Sequence, residues 1–425
     1  MEQRGLVRIV VGANWGDEGK GRMVDYFAQQ ANLVVRYQGG NNAGHTVINE
    51  FGEFKLHLLP SGVFNPDTIN LLGPGMVINL SGLSKELRDL NQQGIQPNIK
   101  VSDRATLVLP LHILEDKLEE QRLGAAAFGS TKNGIAYAYA DRYAKKAIQV
   151  GMLKEPNVLE RYLRRWYDWK LPMMKGLYGE FKHPNFDEML IDLKTLADEF
   201  GPLITNVQSL TTSQQTIVLE AQLGSLRDVH FGNYPYTTSS SVLASAAMQG
   251  SGLNWTQPTV VTAVVKAFSS SVGEGPFPTA MDDMTSLRES AFEFGATTGR
   301  ARDIGHFDAV ATRYGVAIQQ ANEIALTKLD CLSGLSTLKI CTGYELDSEL
   351  LTEYPMTEDL FRVTPIYKTL PGWQEDISSI RHFEDLPKNA RAYVLTIEQL
   401  VGSPVNCPIT YVSVGPERSQ LILRR

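Results

Sequence analysis

The chain has 425 residues, of which 43% are hydrophobic and 20% are charged, and its formal net charge is −7. This composition is typical of a globular protein with a large core, and the negative charge argues against nucleic acid as a bulk partner. No stretch is apolar for long enough to span a membrane, and no apolar signal segment precedes the first predicted strand, so we expect a cytoplasmic protein with no membrane partner.

Short apolar segments alternate with amphipathic segments along the chain. Apolar runs predict strands over residues 6–11, 33–37, 216–219, 259–265 and 411–414. Helical spacing of large apolar residues predicts helices over residues 114–121, 159–169 and 186–199. The alternation indicates the α/β class, with a large, mostly parallel sheet covered by helices on both faces. Because no linker or repeat divides the sequence, we expect residues 1–425 to form a single catalytic domain with a helical excursion over roughly residues 104–205.

The first predicted strand ends in a glycine-rich loop, Gly12-Ala-Asn-Trp-Gly-Asp-Glu-Gly-Lys-Gly21. Its glycines let backbone N–H groups face phosphate oxygens, Lys20 adds positive charge, and a helix predicted to start near Met23 would point its positive end at the loop. The site is P-loop-like, but Gly21 stands where the usual pattern has the Ser or Thr that holds magnesium. Asp17 is therefore the candidate metal ligand, and it could also take a proton from a substrate. The alternative is a solvated glycine-rich turn.

A second glycine-rich loop, Gly39-Gly-Asn-Asn-Ala-Gly-His-Thr46, follows the second predicted strand. Its glycines permit close approach of the backbone to a ligand, and His45 can donate a proton or stabilise negative charge at neutral pH. A histidine in such a turn is often only a turn residue. Two such loops at strand ends, however, lie where open parallel sheets bind ligands.

A third motif, Thr327-Lys-Leu-Asp330, resembles the Asn-Lys-x-Asp element of GTP-binding proteins. The Asp330 carboxylate could accept both the N1–H and the amine of guanine, while the stem of Lys328 covers the ring. On its own the motif could be a solvated turn, but together with the phosphate loop it predicts a purine triphosphate site. Ser413 and Gly415 would supply backbone groups to the same base.

In their order along nearly the whole chain, six motifs resemble signatures of the adenylosuccinate synthetase family. They are Trp15-Gly-Asp-Glu-Gly-Lys-Gly21, Asn42-Ala-Gly-His-Thr46, Val272-Gly-Glu-Gly-Pro-Phe-Pro-Thr279, Phe294-Gly-Ala-Thr-Thr-Gly-Arg300, Thr327-Lys-Leu-Asp330 and Pro371-Gly-Trp373. The resemblance implies a homodimeric, GTP- and magnesium-dependent ligase of purine biosynthesis. Such an enzyme joins L-aspartate to C6 of IMP through a 6-phosphoryl intermediate and releases adenylosuccinate, GDP and phosphate.

The resemblance also implies a role for each matching residue. Asp17 would be the base that removes the N1 proton of the purine, His45 would stabilise the transferring phosphoryl group, and Asp17 and the Gly44 carbonyl would hold Mg²⁺. The GTP-binding residues would be Gly16, Asp17, Glu18, Gly19, Lys20, Gly21, Gly44, His45, Thr46, Arg302, Lys328, Asp330, Ser413 and Gly415. The IMP-binding residues would be Asn42, Thr131, Lys145, Gln222, Leu223, Thr238, Val272 and Arg300, with Lys145 reaching the site of the partner subunit. The aspartate-binding residues would be Thr297, Thr298, Arg300 and Arg302.

The chain departs from the family pattern in three places. Residues 130–137 lack the family's Gly-Pro, and Lys145 replaces an arginine. Leu223 stands where the family has an amide at the reacting edge of the base. Either Gln222 reaches the base through a local shift, or the substrate differs. Two alternatives therefore stay open. One is the same chemistry on another 6-oxopurine such as dGMP, and the other is a GTP-binding protein without ligase activity, which the intact Asp17 and His45 disfavour.

Overall fold

The computed structural model describes residues 5–210, 215–283, 285–295, 299–402 and 406–424. The strands in these ranges are β1 (Val7–Gly12), β2 (Leu33–Arg36), β3 (His45–Asn49), β4 (Gly52–Leu56), β5 (Ile69–Leu72), β6 (Val77–Ile78), β7 (Ile99–Ser102), β8 (Thr106–Leu107), β9 (Ile204–Thr205), β10 (Ile217–Gly224), β11 (Thr259–Lys266), β12 (Ser269–Ser271), β13 (Asp303–Gly305), β14 (Phe307–Asp308), β15 (Glu323–Thr327), β16 (Thr337–Leu346), β17 (Glu349–Leu351), β18 (Thr364–Pro371), β19 (Ile409–Ser413) and β20 (Leu421–Leu423). The α-helices are α1 (Lys20–Ala28), α2 (Leu80–Gln92), α3 (Pro110–Leu123), α4 (Ile135–Tyr143), α5 (Pro156–Tyr178), α6 (Phe186–Phe200), α7 (Ala247–Ser251), α8 (Thr285–Ser290), α9 (Ala309–Ile318), α10 (Thr357–Leu360) and α11 (Lys388–Gly402).

Ten strands form one large sheet in the order β20-β19-β15-β11-β1-β10-β2-β5-β7-β9. Neighbouring strands run parallel throughout, except for β19 and β20 at one edge, which are antiparallel. The inner strands are nearly continuous apolar runs because helices cover both faces of the sheet. The prediction of a large, mostly parallel α/β sheet is confirmed.

The predicted elements coincide with observed ones. The five predicted strands are β1, β2, β10, β11 and β19, and the three predicted helices lie within α3, α5 and α6. The expected start of α1 near Met23 is wrong, because α1 begins at Lys20. Gly19, with a φ of 97°, caps this helix in the left-handed conformation, so that the helical backbone starts at the next residue.

The two largest apolar clusters among the described residues support this architecture. The larger core joins the central strands to α9 and α11, and the second lies among α2, α3, α5 and α6. Helices α3 to α6 all fall inside the predicted helical excursion, while the division of the chain into domains stays a prediction. In the part of the chain that the structure describes, no helix is long and apolar enough to cross a membrane.

Candidate active site

The loop between β1 and α1 is folded around the carboxylate of Glu18. This carboxylate accepts hydrogen bonds from the backbone N–H groups of Asn14 (3.1 Å) and Gly16 (2.8 Å) and from the ammonium group of Lys20 (2.6 Å). Gly16 and Asp17 adopt left-handed backbone conformations, with φ values of 106° and 59°. The loop is therefore shaped by its own residues, and Lys20 is held in it by a buried counter-ion.

Gly21 packs directly against His45. A Cβ atom at position 21 would lie 2.8 Å from the Cβ of His45 and 3.1 Å from the Oγ of Ser61, and the first of these distances is shorter than real Cβ contacts. The packing of α1 against the start of β3 thus excludes a serine or threonine at this position. It explains why the loop lacks the hydroxyl of the usual P-loop pattern.

His45 is buried at the start of β3 and shares a hydrogen bond through Nδ1 with the carboxylate of Glu220. Glu220 also accepts hydrogen bonds from the backbone N–H and the hydroxyl of Ser61, at 2.8 and 2.6 Å. Burial lowers the pKa of His45 although Glu220 favours the charged imidazole. Nε2 of His45 has no hydrogen-bond partner among the described residues, so it is the ring nitrogen available to a ligand.

Glu220 was not among the predicted site residues. The signal that could have found it is a lone carboxylate within the apolar run of β10, since a buried charge in a strand interior requires a partner.

Arg302 joins the phosphate loop to a second buried carboxylate. Its guanidinium lies 2.7 Å from Asp17 and 2.6 Å from Glu293, while Glu293 in turn lies 2.7 Å from the ammonium group of Lys328. Asp17 therefore pairs directly with Arg302, and Glu293, which the sequence did not single out, connects Arg302 to Lys328. The Asp17 side chain remains one-fifth exposed.

The residues predicted to bind guanine lie together beside the phosphate loop. The backbone N–H of Leu329 donates to the carbonyl of Ser413 (3.3 Å), and the hydroxyl of Thr327 donates to the carbonyl of Glu18 (2.6 Å). Burial raises the pKa of the half-buried Asp330 carboxyl. Gly415 lies two residues after Ser413, whose hydroxyl donates to the Gly415 carbonyl at 2.9 Å.

Gln222, rather than Leu223, directs its amide at the second glycine-rich loop. Its Nε2 donates to the carbonyl of Gly40 (3.0 Å) and to Oδ1 of Asn42 (2.8 Å), and its buried Oε1 has no partner among the described residues. The parallel register of β1 and β10 shifts just before Gly224, and Leu223 has a left-handed φ of 63°. This bulge places the Gln222 amide beside Asn42, while a contact of Gln222 with the purine base stays a prediction.

The loop that carries Thr131 lies against the second glycine-rich loop. The side-chain amide of Asn133 donates to the carbonyl of Asn41 at 3.1 Å. The carboxylate of Asp116 accepts hydrogen bonds from the Ser130 hydroxyl (2.7 Å) and from the N–H of Gly134 (2.8 Å), one on each side of Thr131. The loop that carries Thr131 is thus held on the same side of the site as Asn42, while the role of Thr131 stays a prediction.

Arg227, which was not predicted, ties together the segments that carry Thr238 and Val272. Its guanidinium donates to the carbonyls of Tyr236 (2.8 Å) and Val272 (2.9 Å), and its own carbonyl accepts from the N–H of Thr238 (2.9 Å). An isolated arginine in a turn gives no sequence signal for this role, because these acceptors are backbone carbonyls.

The remaining predicted residues are placed as follows. Arg300 is about half exposed, with its guanidinium 4.0 Å from the Glu274 carboxylate. Lys145 is exposed just beyond α4. Thr297 and Thr298 lie outside the described residues.

Asp17 fits a magnesium ion that is held mainly by substrate. Mg²⁺ in nucleotide sites takes one or two protein oxygens and completes its octahedron with phosphate oxygens and water. The described residues contain no cluster of three or more His, Cys, Asp or Glu side chains that could hold a metal alone. The partly exposed carboxylate of Asp17, within a glycine-rich phosphate loop, is the hard oxygen donor that such a site requires.

Comparisons with known proteins give one consistent family. The model of the adenylosuccinate synthetase family matches residues 9–422. Adenylosuccinate synthetase 2 of Pseudoalteromonas translucida (strain TAC 125) is 52% identical over 421 residues, which cover 98% of this chain and 99% of that protein. Adenylosuccinate synthetase of Thermoanaerobacter sp. (strain X514) is 42% identical over 425 residues, with coverage of 98% and 99%.

Solved structures agree with the sequence comparisons. The fully ligated adenylosuccinate synthetase from Plasmodium falciparum superposes with a TM-score of 0.91 at 31% identity, covering 99% of this chain and 100% of that one. The succinoaminodeoxyadenylate synthetase of cyanophage S-2L, bound to dGMP and dATP, superposes with a TM-score of 0.62 at 18% identity, covering 99% and 95%. At that identity the second likeness supports the fold alone.

Proposed function

Because this chain belongs to the adenylosuccinate synthetase family, we propose that it joins L-aspartate to C6 of IMP at the expense of GTP, giving adenylosuccinate, GDP and phosphate. The proposal rests on the ion pair, 2.7 Å long, between Arg302 and Asp17 of the glycine-rich loop after β1. A candidate base and a candidate carboxylate-binding cation thus lie beside the loop that would hold the triphosphate.

In the first step, Asp17 would remove the N1 proton of the 6-oxopurine, so that O6 gains the negative charge needed to attack the γ-phosphorus of GTP. The O6–P bond forms as the bond from the γ-phosphorus to the β-phosphate oxygen breaks and GDP leaves. His45 would donate a hydrogen bond from Nε2 to the transferring phosphoryl group, with Glu220 stabilising the imidazolium. Lys20 would balance charge on the nucleotide phosphates.

In the second step, the amine of aspartate would attack C6 and lose a proton, while the C6–O bond breaks and phosphate leaves. Arg300 and Arg302 are suited to holding the aspartate carboxylates, because a guanidinium can donate two parallel hydrogen bonds to a carboxylate. Arg302 would then exchange its pairing with Asp17 for one with the substrate. When bound by Asp17 and the Gly44 carbonyl, Mg²⁺ supplies charge neutralisation on the polyphosphate during transfer.

IMP is favoured over other 6-oxopurines as the acceptor. The relatives at 52% and 42% identity are adenylosuccinate synthetases, whereas the neighbour bound to dGMP shares only 18% identity. Gln222 also supplies an amide near Asn42, which compensates for Leu223. A GTP-binding protein without ligase activity is disfavoured by the assembled set of Asp17, His45 and Arg302.

We further propose a cytoplasmic homodimer, in line with the family. Lys145 would reach the nucleotide phosphate of the partner subunit's site, which agrees with its exposed position beyond α4. Compared with an arginine, lysine keeps the charge but lacks the two-pronged hydrogen bond.

The test is a measurement of aspartate-dependent phosphate release from GTP in the presence of Mg²⁺ with IMP, GMP and dGMP as acceptors. We expect IMP to be used fastest, and Asp17→Asn to lower its turnover by about 100- to 10,000-fold while the protein stays folded. If dGMP is turned over faster than IMP, dGMP becomes the proposed acceptor. The absence of aspartate-dependent release with every acceptor would overturn the ligase function.

A further inference from the structure

Glu293 is a fully buried carboxylate at the carboxyl ends of three neighbouring strands, and the mechanism above does not use it. It follows α8, and its carbonyl accepts a hydrogen bond from the N–H of Arg302 at 3.0 Å. Lys266 is the last residue of β11, Lys328 follows β15, and Asp17 lies in the loop after β1. Because these strands are adjacent in the sheet, Glu293 lies where their loops meet.

Three cations converge on this carboxylate. Oε2 lies 2.8 Å from the ammonium group of Lys266 and 2.6 Å from the guanidinium of Arg302, and Oε1 lies 2.7 Å from the ammonium group of Lys328. Burial alone would raise the pKa of Glu293, but the three cations hold it well below its ordinary value. Glu293 is therefore ionised, and without its charge three positive groups would face one another in a region of low dielectric.

The ion pairs form a chain of alternating charge from Asp17 through Arg302 and Glu293 to Lys328. Short hydrogen bonds between charged groups restrict both side chains that form them. Lys328 is further fixed by a hydrogen bond of 2.6 Å to the carbonyl of Ala291. The chain thus connects the lysine expected at the guanine ring with the arginine expected at the aspartate carboxylates.

We propose that Glu293 is a positioning residue that holds Lys328 and Arg302 at a set distance from each other, so that the guanine and aspartate subsites are aligned together. This inference rests on the proposed function for the identity of the two subsites. Asp17, at the end of this chain, would meet IMP in the chemical step, whereas the amide expected to bind the purine belongs to another network, since Gln222 bonds to Gly40 and Asn42. GTP and aspartate binding should therefore depend on Glu293, and IMP binding should not.

The experiment compares the KM values of Glu293→Gln for all three substrates. Glutamine keeps the shape of the side chain but removes its charge. We expect the KM for GTP and for aspartate to rise about tenfold or more, while the KM for IMP changes by less than about twofold, because Lys328 and Arg302 are the two substrate-facing residues that lose a charge-assisted hydrogen bond. Glu293→Asp, which keeps the charge, should restore part of the affinity.

A matched control is Glu115→Gln on α3. Glu115 is also a buried carboxylate, 2.5 Å from the ammonium group of Lys170, but it lies outside the candidate site. Glu115→Gln should lower the stability of the protein, but it should not raise the KM for GTP and aspartate more than the KM for IMP. An equal rise of all three KM values in Glu293→Gln, or the same kinetic change in Glu115→Gln, would overturn the proposal and make Glu293 merely structural.

A second variant keeps the test valid if Glu293→Gln does not fold. Glu293→Gln combined with Lys266→Met removes one buried anion and one buried cation, so the net charge of the cluster is unchanged. The same rise in KM for GTP and aspartate is expected, and its absence would contradict the proposal.

Binding of a fluorescent GTP analogue, measured without IMP or aspartate, separates this inference from the proposed function. Wild type that binds the analogue but releases no phosphate would contradict the ligase function. If the variants bind it as tightly as wild type, the positioning role of Glu293 is wrong whatever the reaction.

Discussion

Gly21 and His45 are in such close contact that any side chain at position 21 would bring two Cβ atoms to 2.8 Å. The first turn of α1 and the first residue of β3 thus form one packed unit, which places Lys20, the lysine proposed to bind phosphate, beside the buried His45. The missing side chain is a requirement of this contact and not a loss of the usual magnesium-binding hydroxyl.

Gly21→Ser should therefore inactivate the enzyme although it supplies the hydroxyl residue that follows the lysine in the usual P-loop pattern. The serine must displace His45, and a displacement of about 1 Å at a reacting group can lower turnover by about 100-fold. The measurement is kcat for phosphate release, together with the midpoint of thermal unfolding. Gly176→Ala near the end of α5 is the matched control, because a Cβ there meets nothing within 4 Å. Normal activity of Gly21→Ser would show that the contact does not constrain His45.

Asp330→Asn should change the base that the triphosphate site prefers. Guanine presents two donors to the Asp330 carboxylate, whereas xanthine presents one donor and one acceptor, which match the amide of asparagine. We expect the variant to lose activity with GTP and to gain activity with xanthosine triphosphate. Competition between GTP, ATP and xanthosine triphosphate measures this, and a wild type that already prefers ATP would refute the guanine assignment.

The neighbouring residues Gln222 and Leu223 should differ in how much IMP turnover depends on them. Gln222→Ala removes the amide that bonds to Gly40 and Asn42, and removing one hydrogen-bond partner in a closed site costs about 1 to 3 kcal/mol. Its turnover of IMP should fall accordingly. Leu223→Gln should be neutral or harmful, because the bulge in β10 directs position 223 towards Gly16. If Leu223→Gln instead raises the kcat/KM for IMP, Leu223 is the position that faces the base.

Binding of a GTP analogue should be accompanied by proton uptake at near-neutral pH. Burial lowers the pKa of His45 in the protein without nucleotide, so the imidazole is largely neutral at this pH. A nearby γ-phosphate favours the charged form and raises the pKa, so a proton enters from the buffer. Calorimetry in buffers of different ionisation enthalpy measures the uptake. His45→Asn should abolish it, and an unchanged uptake in that variant would assign the proton to another group.

The lowered pKa of His45 also affects stability. The unfolded chain binds the proton more readily than the folded protein, so this residue makes folding less favourable as the pH falls below its ordinary pKa.

The central strands and the glycine-rich loops could be predicted because their signals are local. An apolar run of four to eight residues that ends in glycines is visible without knowledge of its neighbours, as for β1 and the loop that holds Asp17. Glu293 could not be predicted in this way, since its role depends on cations that are distant in sequence. Glu220 is visible as a lone carboxylate in an apolar strand, but its partner His45 is distant in sequence. The choice between Gln222 and Leu223 was also hidden, because it is set by a register shift between two strands.

The order of the sheet has a consequence for how the protein is made. β1 carries the phosphate loop, yet its neighbours are β10 and β11, so Val7 pairs with Ile217 and Thr259. Synthesis proceeds at about 5 to 20 residues per second. β1 therefore stays unpaired until the residues up to β10 have been translated. The segment around Ser413 is synthesised later still, after β18 and α11. Nascent chains should therefore acquire nucleotide affinity late and abruptly, and until then they expose an unpaired apolar strand that chaperones can recognise.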